Sequence, residues 1–306
     1  MSEFSLRVAR RVDEADDVVS FTLVDPMGGD LPAWSPGAHI DVVVPCIGSR
    51  QYSLCGDPRN RQQYRIAVLR ELAGRGGSNH LHDKVQTGDL LEIHGPRNHF
   101  VLDEAPHYVF LAGGIGVTPI LTMAADAERR GVSWSMVYGG RTRSTMAFVD
   151  ELPAGVRLVP EDEVGRIDVA AALRDLPPGA LVYCCGPAPL ITAVREHGAE
   201  AVRFELFAAP ETEDAPAERA FAVTLARTGV TLTVAPGETI LDKAIEAGAD
   251  LGFNCQDGIC GSCETSILEG RAEHRDHVLT DQEKAEHTCL MVCVSRAEGA
   301  RLVLDL

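Results

Sequence analysis

Four of the nine cysteines stand where they could hold metal. In the run Cys255-Gln256-Asp257-Gly258-Ile259-Cys260-Gly261-Ser262-Cys263, four residues separate the first two cysteines and two separate the next pair, and Cys293 follows after 29 more. Two irons and two sulfides need four thiolates converging on one small cluster, and this is the plant-type [2Fe–2S] spacing. Gly258, Gly261 and Ser262 leave room for backbone N–H groups to approach the sulfurs. Zinc sites pair two short cysteine knuckles, which is a different arrangement. The chemistry is the passage of single electrons. Cys289 is the rival fourth ligand, but only 25 residues separate it from Cys263. In an extended segment Cys289 and Cys293 share parity, so alternation cannot separate them; the spacing favours Cys293. The expected cluster ligands are Cys255, Cys260, Cys263 and Cys293, with Cys289 a packing residue.

A second set of residues suits phosphate and an aromatic ring. In Arg50-Gln51-Tyr52-Ser53, arginine offers a planar donor fork, tyrosine an aromatic face and serine a hydroxyl for the polar edge of a ring. Gly74-Arg75-Gly76-Gly77-Ser78 precedes a helix expected over 79–85, whose N-terminus favours an anion. A third set suits a dinucleotide. An apolar strand, 109–112, runs into Gly113-Gly114-Ile115-Gly116-Val117-Thr118-Pro119, where Thr118 is placed to cap a helix and Pro119 to fill its first position. Pro119 replaces the third glycine of the usual dinucleotide fingerprint. Cys184-Cys185-Gly186-Pro187 ends a later strand. Adjacent strand residues face opposite sides, which puts one thiol in the core and Cys185 at the carboxyl edge, where open α/β sheets bind ligands.

The elements that must position these sets change character along the chain. Residues 1–103 give short alternating β segments (18–24, 39–44, 64–69) broken by Gly and Pro, the pattern of an antiparallel barrel. Residues 104–207 alternate apolar strands (108–112, 134–138, 180–184, 201–206) with helical stretches (119–130, 189–198), which implies a parallel sheet. Residues 208–220 are acidic, contain proline and lack large apolar side chains, as a linker does. Residues 221–306 alternate again (221–226, 231–234) before a helix at 239–247 and the cysteine loop.

Bulk properties bound the rest. The 306 residues suit two or three domains, and the formal net charge of -17 argues against nucleic acid and anionic membranes as partners. No run reaches the ~18 apolar residues of a spanning helix. The first residues lack the apolar segment of a secretory signal, so a cytoplasmic, reducing location is expected, with Cys46, Cys55, Cys184, Cys185 and Cys289 as free thiols.

Together these residues resemble the phthalate dioxygenase reductase family of the ferredoxin–NADP reductase superfamily, over essentially the whole chain. The resemblance implies a multidomain fold: an antiparallel β-barrel flavin domain, an α/β parallel-sheet nucleotide domain and a C-terminal α+β plant-type ferredoxin domain. Arg50-Gln51-Tyr52-Ser53 looks like the family's flavin motif, Gly113 to Pro119 its pyridine-nucleotide loop, and Cys185-Gly186-Pro187 its nicotinamide-side motif. Cys293-Val294-Ser295-Arg296-Ala297 is similar to its fourth-ligand segment. The Gly74 to Ser78 form implies FMN rather than FAD, and Phe207 is implied beside the flavin ring. Arg141 and Arg143, just beyond the strand ending in Tyr138-Gly139-Gly140, leave NADPH open beside the family's NADH.

The expected activity is electron passage from NAD(P)H to FMN to [2Fe–2S] and on to an acceptor. The cofactors supply the redox chemistry, so none of the ten histidines is read as catalytic. The expected acceptor is a Rieske-type oxygenase component acting on an aromatic acid or ether. A cytochrome P450 or another acceptor is the alternative, and a redox sensor is a third class. A monomer is expected.

Overall fold

β-branched residues alternating with polar ones make the N-terminal segment a sheet rather than helices. The computed structural model describes residues 3–198, 202–207, 218–253 and 255–306. The chain divides into two compact units, Met1–Phe207 and Ala208–Leu306. The expected linker lies outside the described residues up to position 217.

The first unit opens with β1 (Glu3–Ala15), β2 (Val18–Val24), β3 (His39–Val44), β4 (Gly48–Ser53), β5 (Tyr64–Leu69), α1 (Gly77–Lys84) and β6 (Leu90–Arg97). The strands pair antiparallel in the order β4-β3-β6-β1-β2-β5. A bridge between Leu54 and Ile66, with Cys55 N–H donating to Arg65 O at 2.8 Å, joins the two outer strands and closes the barrel. Its interior holds Val8, Phe21, Ile40, Val42, Tyr64 and Ile66, all fully buried. Burial of each such side chain contributes about 1.5–3 kcal/mol. Helix α1 begins two residues before the expected start, because Gly76 and Gly77 already belong to its first turn.

The parallel sheet follows: β7 (His107–Gly113), α2 (Val117–Arg129), β8 (Ser133–Gly140), β9 (Arg157–Pro160), α3 (Glu161–Val164), α4 (Val169–Ala172), β10 (Leu181–Cys185), α5 (Ala188–Gly198) and β11 (Val202–Glu205). Its order is β11-β10-β7-β8-β9. Apolar clusters cover both faces, which is why 108–112 is a continuous apolar run. Helix α2 buries Val117, Ile120, Met123, Ala124 and Ala127 against the sheet. It ends where Gly131 takes the left-handed conformation and Val132 N–H bonds back to Ala127 O. The chain leaves β7 for β8 and β9 on one side and returns to β10 and β11 on the other. The carboxyl end of β7 beside β10 is therefore the switch point where such sheets bind ligands.

The second unit contains β12 (Phe221–Leu225), β13 (Val230–Val234), α6 (Ile240–Glu246), β14 (Glu264–Glu269), β15 (Ala272–Glu273), α7 (Asp281–Glu286), β16 (Cys289–Met291), β17 (Arg296–Ala297) and β18 (Arg301–Leu304). Five strands form one mixed sheet, ordered β13-β12-β18-β14-β16. Thr239 caps α6 by accepting from Asp242 N–H, and Leu241 N–H donates to Val292 O at 3.0 Å. That bond ties the helix to the segment carrying Cys293. No helix among the described residues is long and apolar enough to cross a membrane.

Candidate functional site

The switch point is built from glycines that admit close backbone approach. A Cβ on Gly116 would lie 2.2 Å from Cys185 O, and one on Gly113 would lie 2.6 Å from Pro187 Cδ. The 113–116 turn therefore seats flush on the 185–187 turn, and two motifs far apart in sequence become one floor. Gly114 has φ +54°, and its missing Cβ faces open space. Its backbone is free to meet a pyrophosphate, and α2 starts there without a side-chain cap.

The expected cap is corrected. Helix α2 begins at Val117, so Thr118 lies inside its first turn and Pro119 is its third residue. The Thr118 hydroxyl donates to Ile115 O at 2.9 Å, satisfying the preceding 3-10 turn, Gly114–Gly116. Proline still fits, because the first-turn N–H groups have no helical partner.

Cys184 and Cys185 are both fully buried, on opposite faces of β10. Burial pushes the Cys184 thiol up to about 12 and that of Cys185 well above its ordinary value, so neither is a thiolate. Cys185 ends its strand and pairs in register with Glu205 of β11. The Ser53 hydroxyl, 5% exposed at the end of β4, donates to Glu205 Oε2 at 3.5 Å. Burial raises the Glu205 carboxyl to about 8, against a smaller lowering by the Ser53 bond. Ser53, Cys185 and Glu205 thus meet where the barrel abuts the sheet. Sequence reasoning missed Glu205; the signal was a carboxylate at the end of an apolar strand in Phe204-Glu205-Leu206-Phe207. Phe207, two residues past β11, is 41% exposed and is not a core side chain.

Along β4 the four motif residues divide by parity. Arg50 packs on the start of α1, where a Cβ on Gly77 would sit 2.8 Å from its Cγ. Gly76 takes φ +89°, and α1 has no side-chain cap. A guanidinium beside uncapped N–H groups suits a phosphate. Tyr52 packs against the barrel core, and burial raises its phenol. Gln51 turns the other way and hydrogen-bonds His39 at 3.3 Å. The Ser78 hydroxyl accepts from Glu71 N–H at 3.0 Å, closing the 71–78 turn. Gly74 and Arg75 are exposed. Arg141 and Arg143 are exposed beyond β8, and Glu163 pairs with Arg143 at 2.8 Å.

In the second unit the four expected cysteines come together. The Cys255 sulfur is hydrogen-bonded with Cys260 and Cys293, and Cys263 with Cys293. Sharing protons this way holds Cys255 and Cys263 down and Cys260 and Cys293 up. Asp257 N–H donates to Cys255 Sγ at 3.3 Å. Gly258, at φ +68°, has no room for a side chain, since a Cβ would lie 2.6 Å from Val294 Cγ2. Three sulfurs on this loop and a fourth from the turn after β16 fit a two-iron cluster. Among the described residues no group of three is set to hold a single metal ion. Cys289 stands apart: it pairs with Ser266 across β14 and β16, and its thiol bonds Thr288 and Glu264. The parity argument does not apply, because β16 ends at Met291 and Cys293 sits in the following turn.

Comparison with known proteins agrees with this geometry. A family model described as a 2Fe-2S iron-sulfur cluster binding domain matches residues 223–298. Phenoxybenzoate dioxygenase subunit beta of Ectopseudomonas oleovorans is 44% identical, over 100% of this chain and 98% of that one. Phthalate dioxygenase reductase of Burkholderia cepacia is 39% identical, over 98% and 97%. A solved phthalate dioxygenase reductase, described as a modular structure for electron transfer from pyridine nucleotides to [2Fe-2S], superposes with a TM-score of 0.75. An intact type IV self-sufficient cytochrome P450 monooxygenase superposes with a TM-score of 0.89 at 41% identity, covering 99% of this chain. This chain spans 41% of that protein. The chain belongs to the phthalate dioxygenase reductase family and is an NAD(P)H-dependent oxidoreductase of the flavin and [2Fe–2S] type.

Proposed function

We propose that the chain is the reductase component of a multicomponent oxygenase, working as a monomer. Electrons pass from NADH through FMN and [2Fe–2S] to a Rieske-type oxygenase acting on an aromatic acid or ether. The observation that carries this reading is the meeting of the 113–116 turn, the 185–187 turn and the Ser53–Glu205 pair in one crevice, on the same chain as four converging thiols. The relatives named for phenoxybenzoate and phthalate dioxygenases support the aromatic substrate class.

We assign FMN to the barrel (1–103), the nicotinamide nucleotide to 104–207, a linker to 208–220 and the cluster to 221–306. When bound, these groups supply the redox chemistry, with hydride entering as an electron pair and electrons leaving singly. The chain's residues bind and orient. Arg50 and the 76–77 backbone would hold the flavin phosphate, with Tyr52 and Phe207 offering aromatic faces. Gly113, Gly114 and Gly116 would take the pyrophosphate. Cys185, Gly186 and Pro187 would wall the nicotinamide side, where the neutral Cys185 thiol offers bulk without charge. Glu205, neutral below about 8, keeps a full negative charge out of the crevice at neutral pH. Cys255, Cys260, Cys263 and Cys293 would be the cluster ligands. Phe253 and Val278 are exposed beside the 261–262 segment, where Gly252 packs on Ser262 O and Gly261 on Val278.

A P450 acceptor is the second reading, favoured by the superposition on the P450 monooxygenase. The test is anaerobic mixing of NADH-reduced protein with a Rieske oxygenase component and, separately, with a P450. Reduction of the Rieske centre at a rate supporting turnover is expected; fast reduction of the haem alone would reverse the assignment.

A further inference from the structure

Two side chains that the crevice does not use face each other at the carboxyl edge of the parallel sheet. Strand β8 ends at Gly140, beside Pro160 at the end of β9. Beyond Gly140 comes a 3-10 turn, Arg143–Thr145, fixed by a capping box from Thr142. Beyond Pro160 comes α3, with Asp162 N–H donating to Arg141 O at 3.2 Å. Across this seam the Glu163 carboxylate accepts from Arg143 Nε at 3.1 Å and from Nη2 at 2.8 Å. Both side chains are about half exposed.

We infer that Glu163 is the residue that selects NADH over NADPH, by occupying the donor fork of Arg143 and placing a negative charge where a 2′-phosphate would have to bind. The inference rests on reading the 113–116 turn as the pyrophosphate site. In such βαβ units the adenosine ribose lies at the end of the second strand, which here is β8. A guanidinium grips a phosphate through one of its two planar edges, and Glu163 already fills the Nε–Nη2 edge of Arg143 and offsets its charge. A 2′-phosphate must displace the carboxylate or take the remaining edge, and in either place it sits beside a like charge. Ribose hydroxyls instead donate to that carboxylate with the ion pair intact. An exposed pair of this kind contributes little to stability, so removing it should move selectivity and leave the fold. Arg141 is exposed and makes no ion pair among the described residues. The edge therefore keeps one free cation, and NADPH should be a poor donor rather than an inert one.

Sequence alone showed two arginines and left the nucleotide open. The acidic partner lies 20 positions further on, at the end of a different strand.

The test is titration calorimetry of the FMN-loaded protein with 5′-ADP and 2′,5′-ADP, beside kcat/KM for NADH and NADPH. Wild type should bind 5′-ADP more tightly. Glu163→Gln should tighten 2′,5′-ADP about tenfold and leave 5′-ADP within about threefold, as expected when one charge-assisted contact becomes free. Adding Arg143→Ala to Glu163→Gln should remove the gain. An unchanged ratio in Glu163→Gln, or a gain that survives loss of Arg143, overturns the inference while 5′-ADP binding keeps the nucleotide site. If 5′-ADP does not compete with NADH on wild type, the nucleotide site and the inference fall together.

Discussion

The crevice and the cysteine loop reach function by opposite routes. The crevice gathers the ends of β4, β7, β10 and β11, and its Ser53–Glu205 contact joins residues 152 positions apart. Most of its wall is backbone, admitted by missing Cβ atoms at Gly113 and Gly116. The loop takes three of its four sulfurs from nine consecutive residues. There the side-chain type is the chemistry, since only thiolates ligate the irons. Damage to the loop should therefore be all-or-none, and damage to the crevice graded by how far the geometry moves.

The largest effect follows from that contrast. Cys293→Ala removes a thiolate that no neighbour replaces, so the protein should lose the visible absorption and iron of the cluster. Cys289→Ala should keep both, because that thiol faces Glu264 and Thr288 rather than the other sulfurs. A Cys289 variant without the cluster beside an intact Cys293 variant would reverse the assignment and remove the contrast.

Next comes Gly116→Val, which alters no chemical group of the crevice. Its Cβ would fall 2.2 Å from Cys185 O, so the two turns must part. Overpacking of this kind costs roughly 1–3 kcal/mol. Misplacing a bound reactant by about 1 Å can cost roughly 10²-fold in rate. NADH-driven flavin reduction in stopped flow should fall by that order, while the cluster spectrum stays unchanged. A wild-type rate would mean that the nucleotide does not lie on this floor.

How much was legible in the sequence follows the same division. The cysteine quartet could be read because ligand chemistry restricts residue type and spacing. The strands at 18–24, 39–44 and 64–69 match β2, β3 and β5, short runs rich in β-branched and aromatic residues whose side chains are mostly buried. Thr118 and Pro119 misled because both are good N-terminal residues at several positions, and the choice of Val117 as the start was made by the Gly116–Cys185 contact. Glu205 and Glu163 act only through partners brought by other strands, Ser53 and Arg143, which no local pattern contains.

The proposed phosphate site at Arg50 lies between the two extremes, a side-chain charge beside a glycine backbone. Arg50→Ala should weaken flavin binding about 10- to 100-fold, since a contact to a charged group is worth roughly 1.5–3 kcal/mol. Flavin content after gel filtration and a fluorescence titration with FMN measure it. Full retention of FMN would mean that the phosphate is held elsewhere, and the α1 turn would lose its assigned role.

The smallest effect concerns Glu205, the carboxyl that meets Ser53 in the crevice. Its carboxyl is raised to about 8, from an ordinary 4.5, because burial penalises the charge. Between those values the folded chain holds a proton that the unfolded chain has released. Stability from this group is therefore complete below about 4.5 and is lost as the pH rises toward 8, by at most about 1.4 kcal/mol per pH unit. Glu205→Gln keeps the shape and a neutral polar group and removes the titration. Both tryptophans, Trp34 and Trp134, lie in the first unit, so their fluorescence reports its unfolding without the ferredoxin unit. Urea midpoints between pH 4 and 8 should fall more steeply for wild type than for Glu205→Gln. The two curves should converge as the pH falls through 4.5, where the carboxyl is protonated in the folded and the unfolded chain alike. Parallel curves would show that Glu205 is charged in the folded protein at neutral pH, and the crevice would then hold a full negative charge beside Ser53 and Cys185.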